Sequence, residues 1–169
     1  GTIAAKAAKY ANALYAGNGG EIVNATTGSI LAESAVIDGF SIANALYMGR
    51  GHWQLPGYVV TAVDLTNYGR IEAQSADLNR PSVAVIANNM SGESMIIENY
   101  GLIRADIAIR SDHYAYSPPQ NAGQVIINEL GGRIEGKIEI GLGNDVINNW
   151  GQIVGEPHTG DGDDVFFNE

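Results

Sequence analysis

Apolar and polar positions alternate in short runs along much of this chain. Ile103, Ala105, Ile107 and Ile109 form one such run, and Ile134, Ile138 and Ile140 another. This is the period-two spacing of strands with one buried and one wet face. The longest β-branched stretch, around Tyr58 to Val63, is also strand-sized. Helix is indicated only over Thr2 to Leu14, where alanine and lysine are good helix formers.

Two repeated phrases punctuate the runs. Ala11-Asn12-Ala13-Leu14-Tyr15-Ala16-Gly17-Asn18-Gly19 returns 32 residues later as Ala43-Asn44-Ala45-Leu46-Tyr47-Met48-Gly49-Arg50-Gly51, with seven of nine positions identical. A weaker echo sits at Ala87-Asn88-Asn89-Met90-Ser91-Gly92. The second phrase couples an asparagine to a turn glycine and an isoleucine. It occurs as Asn67-Tyr68-Gly69-Arg70-Ile71, Asn99-Tyr100-Gly101-Leu102-Ile103 and Asn149-Trp150-Gly151-Gln152-Ile153, with looser copies from Asn24 to Ile30 and from Asn128 to Ile134. With Gly69, Gly101, Gly131 and Gly151 as markers, the steps are 32, 30 and 20 residues.

A single flat strand cannot bury its apolar face, whereas repeated units stacked in parallel can. The pattern predicts an all-β, right-handed parallel β-helix, or β-solenoid, with irregular rungs of about 20–32 residues in one domain over residues 1–169. A β-sandwich with recurring turn vocabulary is the competing architecture. Asn67, Gly69, Asn99, Gly101, Asn149 and Gly151 would make a structural corner ladder. Asparagine and glycine tolerate left-handed φ, and stacked amides hydrogen-bond along the axis. Tyr68, Tyr100 and Trp150 share one slot of the phrase and should stack as an aromatic ladder. Residues 1–20 read as a divergent first rung or a cap, with a helical cap as the alternative. The stretches His52 to Tyr58 and Asp112 to Gly123, which contain Pro56, Pro118 and Pro119, read as loop insertions.

Composition narrows the function classes. A hydrophobic content of 45% is ample for a core, and 22 glycines with only 17% charged residues point to many turns. The net charge of −10 and nine scattered basic residues give no basic stripe for nucleic acid. The absence of cysteine rules out disulfides and thiolate metal sites. No apolar run approaches the ~20 residues of a membrane-spanning helix. Gly1 to Gly17 lacks the apolar core of a signal peptide, so any export signal has been removed or lies outside this segment.

Two acidic turns fall within residues 141–169. Gly141-Leu142-Gly143-Asn144-Asp145-Val146-Ile147 and Gly160-Asp161-Gly162-Asp163-Asp164-Val165-Phe166 lie 19 residues apart. Both resemble half of the Gly-Gly-x-Gly-x-Asp-x-apolar-x nonapeptide of the calcium-binding repeats-in-toxin family. The resemblance implies Ca2+ between stacked turns, with Asn144, Asp145, Asp161, Asp163 and Asp164 as ligands. The same residues also suit plain solvated turns. Together with the Asn-x-Gly-x-Ile phrases, they make residues 63–169 resemble the passenger region of bacterial autotransporters and related secreted β-helix adhesins. That resemblance implies an extracellular or cell-surface location, a structural or adhesive and non-enzymatic role, and cell-surface glycans among the partners. Val165 to Glu169 reads as a strand whose unpaired backbone a neighbouring copy or a downstream region could satisfy, so self-association through open ends into filaments or a surface layer is expected.

The alternative function is carbohydrate binding or polysaccharide degradation on an outer face near residues 104–116. Arg104, Asp106, Arg110 and Asp112 alternate with inward residues and lead to His113, Tyr114 and Tyr116. Paired carboxylates could act as acid and base, and aromatics could stack on sugar rings. The same row also reads as a soluble sheet face whose charges pair along and across strands. No His-x-His, His-Glu-x-x-His or Gly-x-Ser-x-Gly occurs, which sets zinc and acyl-transfer chemistry aside.

Overall fold

The structure, a computed structural model, describes residues 1–7, 10–16, 20–34, 42–49, 63–77, 79–88, 94–111 and 123–169. Every regular element among them is a strand. The first eight are β1 (Thr2–Ala7), β2 (Tyr10–Ala16), β3 (Gly20–Asn24), β4 (Ser29–Ser34), β5 (Ile42–Gly49), β6 (Val63–Asn67), β7 (Arg70–Ser75) and β8 (Val83–Asn88). The rest are β9 (Met95–Asn99), β10 (Leu102–Arg110), β11 (Gln124–Asn128), β12 (Arg133–Glu139), β13 (Val146–Asn149), β14 (Gln152–Val154), β15 (Pro157–His158) and β16 (Val165–Asn168). The N-terminal segment in which helix was indicated is therefore two strands. Its alanine propensity is overridden by in-register parallel pairing of β1 with β4 and β2 with β5.

The strands form two parallel sheets. One has ten strands, in the order β1-β4-β7-β10-β8-β5-β2, with β12, β14 and β15 attached through β10. The other has six, in the order β16-β13-β11-β9-β6-β3. This corrects the expected fold class. The larger sheet is nearly closed and barrel-like, with the smaller parallel sheet beside it, in place of a right-handed β-helix of irregular rungs. The reason lies in β10, which pairs with β7 through Leu102 to Arg104 and with β8 through Ile107 to Arg110. One long strand thereby fuses two strand sets into a single sheet. Repeat phrases record which residues stack and carry nothing about how the stacks are joined.

Register turns the apolar positions into continuous columns. Ile3, Ile30, Ile71, Ile103, Ile134 and Ile153 are successive partners in the larger sheet. Ile22, Leu65, Ile97, Ile126, Ile147 and Phe166 are successive partners in the smaller one. A third column runs through Leu14, Leu46, Val85, Ile109 and Ile138. Their inner members are fully buried in one core, each contributing about 1.5–3 kcal/mol. Inter-strand bonds satisfy the backbone of each inner layer from those above and below.

At the turn after each strand of the six-stranded sheet, six asparagines replace apolar residues. Nδ2 of Asn24, Asn67, Asn99, Asn128 and Asn149 each donates to Oδ1 of the next, ending at Asn168, over 2.6–2.8 Å. The turn glycines stack alongside for a reason other than the one expected. Gly69, Gly101 and Gly151 do not have left-handed φ. A Cβ on them would instead lie 2.1–2.3 Å from the carbonyl oxygen of Gly28, Gly69 or Gly132 in the preceding layer. That glycine partner of Gly151 is Gly132, not the expected marker Gly131, which bulges out with positive φ beside the exposed Leu130.

Candidate functional site

The charged row proposed from the sequence sits on β10, where the alternation breaks. The register of β10 against β12 shifts between Arg104 and Ile107 and again before Ile109, so Ala108 is buried between Ile107 and Ile109. Opposite the first shift, Gly136 has φ +125, and a Cβ there would lie 2.1 Å from Ala105 O. The extra residue of a β-bulge re-aims the side chains on either side of it.

Arg104, just before the shift and still in register, points into a column of charge. Glu72, Arg104 and Glu135 are register partners on β7, β10 and β12. Arg104 Nη1 donates to Glu72 Oε1 at 3.3 Å and Nε to Glu135 Oε2. Arg70 Nη2 reaches Glu72 Oε2 at 2.7 Å, and Arg133 Nε reaches Glu135 Oε1. Hydrogen bonds from Arg104 and Arg133 hold the Glu135 carboxyl at about 2, well below its ordinary range. The same pairing with Glu135 raises the Arg104 guanidinium. The aligned Gly-x-Ile phrases carried a legible signal for this network, because the residues flanking each isoleucine are Arg70 and Glu72, Leu102 and Arg104, and Arg133 and Glu135.

Asp106 is spent on the backbone. Its Oδ2 accepts from Ser82 N at 2.8 Å and from Ser82 Oγ at 2.7 Å, while Ser82 Oγ accepts from Asp106 N at 3.1 Å. This reciprocal clasp ties the segment entering β8 to the bulge of β10. Arg110 Nε lies 3.4 Å from Glu139 Oε2 on the neighbouring strand. Asp112 and His113, with Tyr114 and Tyr116, lie outside the described residues, as do His52 to Tyr58. An open cleft of ≈ 530 Å³ adjoins the clasp, lined by Glu33, Glu72, Gln74, Ser82, Arg104 and Asp106 among others.

The two acidic turns stack directly, with a parallel bridge between Leu142 and Asp161. Their side-chain oxygens cap backbone of neighbouring layers. Asp145 Oδ1 accepts from Gln124 N at 2.5 Å, Asp164 Oδ1 from Asp145 N at 2.9 Å and Asn144 Oδ1 from Asp163 N at 3.0 Å. Asp145 is fully buried, while Asp161 and Asp163 are exposed. Among the described residues, no three His, Cys, Asp or Glu side chains are gathered in a way that would hold a metal ion.

The corner brings Asn67, Asn99 and Asn149 into one ladder and extends it to Asn24, Asn128 and Asn168. Of these, Asn168 carries no glycine phrase that would have revealed it. The aromatic slot is interrupted. Tyr68 and Tyr100 stack with ring centroids 4.8 Å apart, but Glu129 takes the next position, and Trp150 meets Phe167 at 6.4 Å in a tilted pair. Burial, followed by the Glu129 and Glu98 charges, raises the Tyr100 hydroxyl above its ordinary value.

In comparisons with known proteins, no family model, no curated protein and no solved structure matches this chain, so its function is argued from this geometry alone.

Proposed function

We propose that this chain is a structural, self-associating element of an extracellular or cell-surface assembly. One observation carries the reading: apolar columns, an asparagine ladder and cross-strand ion pairs repeat in register from layer to layer, the build of a scaffold. Exposed Tyr68, Ile96, Tyr100 and Leu130 add apolar surface on which copies can meet.

The outer-face chemistry supports the same reading. Arg104, Asp106 and Arg110 are engaged with Glu72, Glu135, Ser82 and Glu139, as expected of residues that hold layers together. The 169-residue chain, examined by sedimentation velocity and electron microscopy over a range of concentrations, is expected to form particles of growing length. A monomer at every concentration would overturn the proposal. If it stayed monomeric and bound an oligosaccharide in the cleft beside Arg104, the carbohydrate reading would replace it.

A further inference from the structure

We infer that the cleft beside β10 is a docking site for an extended, basic peptide segment of a partner protein, which pairs as a short strand with the edge formed by Ala73, Gln74 and Ser75. This inference is independent of the self-association reading above.

The site arises in the middle of the larger sheet, where one strand leaves another. β4 and β7 stay in register as far as Ser34 and Ser75. β10 follows β7 only as far as Arg104, opposite Glu72, and then crosses to Val83 on β8. Ala73, Gln74 and Ser75 therefore have a strand on one side only, an edge of about 10 Å at ~3.3 Å per residue. Arg70 N and Ala76 N both donate towards β4, to Gly28 O at 3.0 Å and Ser34 O at 3.1 Å. Alternation turns Ala73 and Ser75 the other way. Leu102 N donates to Gly69 O at 2.8 Å, so a regular ladder would bring Asp106 N to Ala73 O. Asp106 N donates instead to Ser82 Oγ at 3.1 Å. The Ala73 carbonyl and the Ser75 amide are left facing the cleft with no strand opposite, the arrangement that accepts an added strand.

The cleft over this edge measures ≈ 530 Å³, within the range of about 300–1,000 Å³ usual for ligand sites. The Asp106–Ser82 clasp fixes its far wall, so binding orders little of the protein. Its charge selects the segment. Glu33 meets Lys6, and Glu72 meets Arg70 and Arg104. Asp106 has only Ser82 N and Oγ as hydrogen-bond donors and meets no cation among the described residues. A lysine or arginine of the segment supplies that missing partner. No aromatic ring lines the cleft among the described residues, so a sugar finds no face to stack on.

Calorimetry with the 169-residue chain and the probe acetyl-Thr-Lys-Thr-Lys-Thr-amide tests this. The lysine peptide is expected to saturate below about 1 mM, at least about tenfold more tightly than the same peptide with Glu for Lys. Methylating every backbone nitrogen of the peptide keeps its charge, removes strand pairing and is expected to abolish binding. Asp106→Asn, which still accepts from Ser82, is expected to weaken binding about tenfold with unchanged melting. No saturation by the lysine peptide, or undiminished binding of the methylated peptide or by Asp106→Asn, would overturn the inference. Saturation by cellohexaose in place of the peptide would also overturn it, in favour of a saccharide. Sedimentation velocity separates the two readings, because Asp106→Asn is expected to associate as wild type does. Loss of association in that variant would put a second copy in the cleft and overturn the inference. A chain that stays monomeric and binds the lysine peptide would overturn the self-association reading alone.

Discussion

Asn99 Nδ2 donates to Asn128 Oδ1 at 2.8 Å across 29 residues of chain. Asn99 is itself fully buried and also accepts from Asn67 at 2.7 Å. Truncation to alanine removes both bonds and leaves a buried donor and a buried acceptor without partners. Asn99→Ala should therefore cost about 2–4 kcal/mol, read as a fall in the urea midpoint at unchanged slope. A loss below about 0.5 kcal/mol would show that the ladder contributes little to stability.

Glycines in this chain answer to two separate constraints, which substitution separates. Ala at position 101 would place its Cβ 2.1 Å from the Gly69 carbonyl oxygen, a contact between two backbones that no rotamer relieves. Gly101→Ala should destabilise by about 3 kcal/mol or more. Gly131 has φ +90 and open space around it, so Gly131→Ala should cost only the torsional penalty of about 1–2 kcal/mol. Thermal melts of the two variants side by side would test this, and equal losses would contradict it.

These two glycines also mark how far the fold could be read in advance. The phrase around Gly101 revealed the corner, because Asn, Gly and Ile recur there at fixed spacing. Gly131 misled, because two extra residues in that turn moved the stacking role to Gly132. Strand positions were legible from alternation, except over Thr2 to Leu14, where alanine propensity pointed to helix, and in β10, where the bulge at Ala105 and Asp106 buries Ala108 and joins two strand sets into one sheet. A bulge is set by what lies across it, here Gly136, and nothing local in Leu102 to Arg110 announces it. The charged row was found at Arg104 but its partners were not, since Glu72 and Glu135 lie 32 and 31 residues away.

Glu135 gives the outer face a pH signature. Its carboxyl is held at about 2 against an ordinary 4.5, so its folded-state value is depressed. The resulting stabilisation is fully present above pH 4.5 and fades as pH falls towards 2. Glu135→Gln should cost roughly 1 kcal/mol at neutral pH, with wild type and variant converging as the pH approaches 2. Stability measured by urea unfolding at pH 7, 4 and 2.5 would show the convergence. A constant gap across that range would place Glu135's contribution in packing instead of charge.

Gln124 marks the last weak point in the smaller sheet. It pairs in register with Met95 on β9, is 2% exposed, and neither Nε2 nor Oε1 of its side chain meets a partner among the described residues. Its backbone N–H is already satisfied by Asp145, and replacing the side chain leaves that bond intact. A buried amide without hydrogen bonds carries a desolvation cost that an apolar side chain of similar length avoids. Gln124→Met, beside Met95, should therefore raise stability by about 1–2 kcal/mol, seen as a higher urea midpoint. A loss of stability instead would mean that the amide is satisfied in solution by a tightly held water, and that the acidic turns next to Asp145 need a polar neighbour inside the core.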